Sequence, residues 1–171
     1  MNQNSLTPEL TTAKSTKEHD AQKDKSEVSD ARSETSAAEI LDERVLTALH
    51  AASDKKALDL IALDLRSIAS FTDLFLIASG TNARQVQAIA DEVVERLKKS
   101  GTRAARVEGH KAAEWVLLDY GDFIFHIFEE KARRFYDLER LWRDAARVGL
   151  PPELTGGGGG SAPERSLRIE S

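Results

Sequence analysis

Residues 73–107 read DLFLIASGTNARQVQAIADEVVERLKKSGTRAARV. The stretch changes its periodicity twice. Asp73 to Ser79 is an almost unbroken apolar run, the pattern of a central strand covered on both faces. Gly80-Thr81-Asn82 ends that run and supplies a cap. Val86, Ile89, Ala90, Val93 and Leu97 then recur at helical spacing, and Ser100-Gly101 stops the helix. Arg103 to Val107 reads as a further strand. A strand, a long helix and a strand within 35 residues predict a parallel, right-handed crossover and therefore an α/β fold.

Working outward, the rest of the chain extends this unit. Upstream, Ser36-Ala37-Ala38-Glu39 has the spacing of a capping box. It predicts a helix to about Ala52, with Leu41, Val45, Leu49 and Ala52 on one face, followed by a strand over Leu58–Leu65. Downstream, Trp115–Asp119 and Phe123–Phe128 read as two strands of an antiparallel hairpin, joined at Tyr120-Gly121 by a turn that favours glycine. Asp137 is placed to cap a last helix carrying Leu138, Leu141, Trp142 and Ala145. The expected architecture is one α/β domain, a mixed sheet of about five strands with helices packed on it.

Between Pro8 and Pro151 there is no proline, and the domain is assigned to residues 37–150. Residues 1–36 hold only four large apolar side chains, Met1, Leu6, Leu10 and Val28. Such a segment buries too little surface to offset its ordering entropy and is expected to be a disordered tail. Residues 151–171 are expected to be a second disordered tail: Pro151-Pro152 stops the last helix and Gly156 to Gly160 forms a flexible linker.

Composition narrows the function classes. Of the 171 residues, 40% are hydrophobic and 31% charged, with a net charge of −5. Residues 41–150 carry 17 Lys and Arg against 18 Asp and Glu, a net of −1. No broad basic field exists, which argues against general nucleic-acid binding while leaving a local patch free to touch RNA. The chain has no cysteine, so disulfides, thiolate zinc sites and a thiol nucleophile are excluded. No apolar run approaches a membrane span and the polar N-terminus lacks a signal-peptide core, so a cytoplasmic location is expected.

Eight of the ten aromatic residues fall between Glu108 and Trp142. Three landmarks around them carry a family signature: DLRSIASFTDLFLIASGTNARQVQAIADEV, VEGHKAAEWVLLDYGDFIFHIF and RRFYDLERLWRDA. Over residues 41–147 the chain resembles the ribosomal silencing factor family, also called the Iojap family. The resemblance implies a nucleotidyltransferase-like fold that is not an enzyme and needs no cofactor. It implies binding to the large ribosomal subunit through a protein of the L-fourteen family. A domain seated there blocks an intersubunit bridge, keeps the subunits apart and represses translation. Organellar relatives imply an alternative role in large-subunit assembly, and free relatives imply a possible homodimer.

Four groups of residues invite a chemical reading. Ser79-Gly80-Thr81 sits where a nucleotidyltransferase holds phosphates at a helix N-terminus. That chemistry also needs paired carboxylates on the next strand to hold magnesium, and Thr102 to Val107 has none. A helix cap is the better reading. Glu108, His110, Asp119 and His126 are metal-ligand types, but no pair has the spacing of a known motif. His126, between Ile124 and Phe128 on an apolar strand, reads as a hydrogen-bonded structural residue, and no metal site is assigned. Asp119 and Asp122 flank a turn, where Asp and Gly are ordinary. The remaining aromatic and acidic residues, Trp115, Tyr120, Asp122, Tyr136, Asp137 and Glu139, form the expected partner-binding surface. Aromatic anchors beside charges are what recognition surfaces use. Replacing Tyr120 and Asp122 by Ala is accordingly expected to abolish subunit binding and spare the fold.

Overall fold

The strand Leu74–Gly80 (β2) is buried along its whole length, as its apolar run requires. The structure, a computed structural model, describes residues 40–156. The expected disordered tail at 1–36 and the capping box at Ser36 lie outside the described residues. Helix α1 spans Glu43–Asp54 and starts afresh at Asp42, whose side chain accepts from the Val45 N–H at 2.9 Å. It does not run on from residue 36, because Leu41 and Asp42 break the helical path and Asp42 caps a new helix. Strand β1 covers Leu58–Asp64. Helix α2 (Ala83–Lys99) is capped by Asn82, which accepts from the Gln85 N–H at 2.9 Å, and buries Val86, Ile89, Ala90, Val93 and Leu97. Strands β3 (Arg106–Glu108), β4 (Trp115–Asp119) and β5 (Phe123–Glu129) come next. Then come α3 (Glu130–Tyr136), α4 (Leu138–Leu141), β6 (Ala146–Val148) and α5 (Pro152–Thr155).

The sheet has six strands in the order β3-β4-β5-β2-β1-β6. Among the described residues only β2 and β5 pair in parallel; the other four ladders are antiparallel. The mixed α/β sheet is as expected, with one strand more. The sixth, β6, lies where the sequence suggests the end of a helix. A helix stopping at Leu141 frees residues 146–148 to pair with the open edge of β1. The crossover from β2 through α2 to β3 joins strands that run the same way, yet β5 and β4 lie between them. β5 offers six consecutive buried residues as a partner for β2, whereas β3 is three residues long and exposed throughout. A strand of that kind belongs at an edge.

The last helix also departs from expectation. It starts after Asp137 as expected but stops at Leu141, and an unexpected helix, α3, runs directly into it; between the two, Asp137 adopts the left-handed conformation (φ 46°, ψ 55°) and makes no side-chain cap. Asp is among the few non-glycine residues that tolerate this region. Pro152 opens a short helix instead of stopping one, and Leu154 from the expected disordered tail is buried with α1 and β1. Proline at a first helical position loses no hydrogen bond. Among the described residues no helix is long and apolar enough to cross a membrane.

Side chains on the two faces of the sheet build two cores. On one face, Leu74, Leu76, Val116, Leu118, Phe123, Phe125 and Ile127 pack against α1 and α2. On the other, Leu63, Leu65, Phe75, Ile77, Ile124 and Phe128 meet, among the described residues, only Leu138, Ala145 and flanking half-buried residues. Among the described residues, one face therefore lies beneath two long helices and the other beneath a single helical corner.

Candidate functional site

The thinly covered face carries a continuous row of rings. Tyr136 lies 4.8 Å from Trp115, whose indole stacks on Phe128 at 4.9 Å and lies 5.8 Å from His126. His126 meets the edge of Phe75 at 4.5 Å; Phe75 meets Trp142 at 5.4 Å, and Trp142 meets Phe71 at 5.9 Å. Phe135 extends the other end, 5.1 Å from Tyr136. The middle of the row is buried and its two ends are open. Phe135 is 81% exposed, Leu141 74% and Phe71 58%. These three open apolar side chains flank the face that, among the described residues, no long helix covers.

His126 holds the row from beneath. Its Nδ1 accepts from the Trp115 indole N–H at 3.1 Å, so in the neutral ring the proton resides on Nε2. Nε2 has no partner among the described residues, and burial pushes the imidazole pKa down to about 4. The residue is a hydrogen-bonded structural histidine, as its place on an apolar strand suggests.

Arg133 holds the corner from the side. Its Nε and Nη2 donate to Glu139 Oε1 at 3.0 and 2.8 Å, and its Nη1 donates to the Asp59 carbonyl and the Ser79 hydroxyl at 2.8 and 2.9 Å. The Asp137 N–H in turn donates to the Arg133 carbonyl at 2.9 Å. One guanidinium thus ties α3 and α4 to the ends of β1 and β2. It lines an open cavity of about 780 Å³ at that end of the sheet.

The six residues expected to form one surface do not come together. Trp115 and Tyr136 touch, and Asp137 lies half-buried in the corner beside them. Glu139 is committed to Arg133. Tyr120 and Asp122 lie at the opposite end of β4 and β5, roughly 15 Å along the strands at about 3.4 Å per residue. Tyr120 also faces the helix-covered core. It is 9% exposed, stacks on Phe123 at 4.8 Å, and burial pushes its pKa up to about 12. The expectation that Tyr120→Ala would spare the fold is thereby corrected, since the ring is part of a core. The Asp122 carboxylate pairs with Arg44, which also bonds Asp42 at 2.9 Å. Leu141, which the expected last helix carries beside Leu138, is exposed, and Leu138 alone of the α4 residues is buried. Phe71, Phe135 and Arg133 escaped the sequence reading. For Phe135 a signal existed, an aromatic pair set among charges in ARRFYD.

The catalytic alternatives find little support in the geometry. Ser79 is buried on Arg133, Thr81 bonds Gln85 at 2.9 Å, and Asn82 caps α2, so the Ser79-Gly80-Thr81 turn is a helix cap. The strand after α2 does carry one carboxylate, Glu108, paired with Arg106 at 3.4 Å on the exposed edge. His110 bonds Asp91 at 2.7 Å, well apart from His126 in its apolar setting. Among the described residues no three His, Asp or Glu side chains gather to hold a metal ion.

Comparison with known proteins gives a consistent result. The family described as "Ribosomal silencing factor during starvation" matches residues 35–166. A relative from Halalkalibacterium halodurans, named a ribosomal silencing factor, is 43% identical over 103 residues, covering 60% of this chain and 88% of the relative. A mouse protein named for mitochondrial assembly of the ribosomal large subunit is 30% identical over 91 residues, covering 52% of this chain and 40% of the mouse protein. Among solved structures, a Chromobacterium violaceum protein matches with a TM-score of 0.58 at 36% identity, over 64% of this chain and 88% of that one.

Proposed function

The chain belongs to the ribosomal silencing factor family, and we propose that it binds the large ribosomal subunit through its open aromatic face and keeps the small subunit from joining. The observation that carries this reading is the row from Phe135 to Phe71 on the sheet face that no long helix covers among the described residues. Aromatic anchors in a partly desolvated row supply binding energy at small cost in side-chain freedom. The docking partner is a basic protein of the L-fourteen family on the intersubunit side. A domain held there obstructs a bridge by its bulk alone, so the protein acts as a factor and not as an enzyme, in the cytoplasm where subunits meet. Away from subunits, two copies would bury the same apolar face against each other.

The expected contact set shifts accordingly. Trp115, Tyr136 and Asp137 stay in it, Phe135, Leu141 and Phe71 join it, and Glu139 serves it from behind through Arg133. Tyr120 acts through the core. Asp122 becomes a peripheral residue.

Sucrose-gradient sedimentation of separated subunits tests the reading. The protein should travel with the large subunit and deplete joined ribosomes. A Phe135→Ser/Tyr136→Ala variant should stay at the top of the gradient while Asp122→Ala still sediments. Joined ribosomes that form undiminished in excess protein would sink the silencing reading. The identity with the mouse assembly protein favours a second reading, action during large-subunit maturation. Accumulated large-subunit precursors in cells depleted of the protein would support it.

A further inference from the structure

The Phe135–Tyr136 ridge has two unlike sides. The groove on one side is lined by Glu114 and Glu129 with one cation, Lys131. The groove on the other, of about 610 Å³, is lined by Arg134, Arg140 and Arg143 against Asp137 and Asp144. Arg140 and Arg143 are exposed, and among the described residues neither has an ion-pair partner. Arg134 reaches only its helix neighbour Glu130, at 3.9 Å. In a chain of net charge −5, this is a small local excess of positive charge, with the Arg140 and Arg143 guanidinium groups unspent.

Resting on the large-subunit reading above, we infer that the arginine groove seats the phosphate backbone of ribosomal RNA beside the protein contact. A basic ribosomal protein suits the glutamate side of the ridge and is repelled by the arginine side. Phosphate suits the arginine side, since a guanidinium fork matches two phosphate oxygens. Phe135 stands at the rim with most of its ring open, and an exposed ring beside arginine is the usual seat of an unstacked base. The single ridge thus divides its partner into a protein half and an RNA half.

Salt dependence separates the two halves. Binding of the full chain to purified large subunits is measured across roughly 0.05–0.2 M salt, for wild type and for Arg140→Gln/Arg143→Gln. Each lost phosphate contact removes about 0.7–0.9 from the slope of log affinity against log salt. The double variant should therefore show a slope shallower by about 1.4–1.8, and Arg140→Lys/Arg143→Lys should recover most of it. Binding to the isolated L-fourteen-family protein, free of RNA, should be the same for all three. An unchanged slope on subunits, or an equal loss on the RNA-free protein, would overturn the RNA assignment and give the arginines to a protein contact. A wild type that binds neither subunits nor isolated protein would instead remove the large-subunit reading, and this inference with it. Matching thermal melts for the three proteins show that folding is not the cause.

Discussion

The indole N–H of Trp115 donates to Nδ1 of His126, 3.1 Å away beneath the aromatic row. This bond requires an uncharged imidazole, and burial provides one by lowering the pKa from 6.5 to about 4. Between those values the unfolded chain holds a proton that the folded chain excludes. Stability therefore falls as pH drops below about 6.5 and stops falling on this account near 4. Between pH 7 and 5 the loss should be about 2 kcal/mol. Chemical denaturation across that range should show the decline for wild type and a flatter profile for His126→Gln, which keeps an acceptor but cannot titrate. Asp64, whose pKa the Arg66 hydrogen bonds lower, contributes its loss only at more acid pH. Equal pH slopes for the two proteins would contradict the role given to His126.

Tyr120 separates ring from hydroxyl. Its ring is buried on Phe123 and its hydroxyl has no partner among the described residues. Tyr120→Phe removes an unsatisfied buried group and should leave stability within about 1 kcal/mol of wild type or above it. Tyr120→Ala should cost about 3–5 kcal/mol by opening a cavity. Urea titration of both variants distinguishes this from a surface role, in which the two changes would cost alike.

Arg133 and Glu139 form the most buried ion pair among the described residues, with side chains 11% and 24% exposed. Arg133→Met strands Glu139 and leaves the Ser79 hydroxyl and the Asp59 carbonyl without their donor. It should destabilise the domain by about 2–4 kcal/mol. Glu139→Gln keeps an acceptor in place and should cost about 1 kcal/mol. If Arg133→Met melted like wild type, the corner would be held by something else.

Gly109 has φ +76°, and a Cβ there would lie 2.0 Å from the Trp115 carbonyl oxygen. Gly109→Ala should therefore force the start of β4 to move and cost at least about 2 kcal/mol. Gly121→Ala, at φ +89° with open space around it, pays only the backbone term, about 1–2 kcal/mol. Thermal melts that ranked the two in reverse would contradict the close contact at Trp115.

Elements with an apolar stripe or a cap could be read from the chain. β2 announced itself through LFLIAS, α2 through Asn82 and its buried positions, and the β4–β5 hairpin through Tyr120-Gly121. The α3–α4 corner was obscured because α3 buries no residue and so has no stripe to detect. β6 was too short to show an alternation, and its pairing depends on β1 having a free edge. The site was half legible for a related reason. Trp115 and Tyr136 share an end of the sheet, while Tyr120, one residue past the end of β4, differs from Trp115 by an odd number of positions and faces the other way. Whether a given face is open or covered depends on where α1 and α2 settle, which no local window of sequence contains.

The α3–α4 corner leaves the sheet from β5, a central strand, and returns to it as β6 on the far side of β1. Both of its ends are thus pinned in ladders, and Arg133 pins its middle. A surface loop fastened this way has already lost its backbone freedom when the domain folds. Binding then needs to freeze little more than the rotamers of Phe135, Leu141 and a few arginines, about 0.5–1.5 kcal/mol for each. The corner would meet its partner in nearly the shape it has when free, so affinity should be governed by how slowly the complex comes apart rather than by a search for the right conformation.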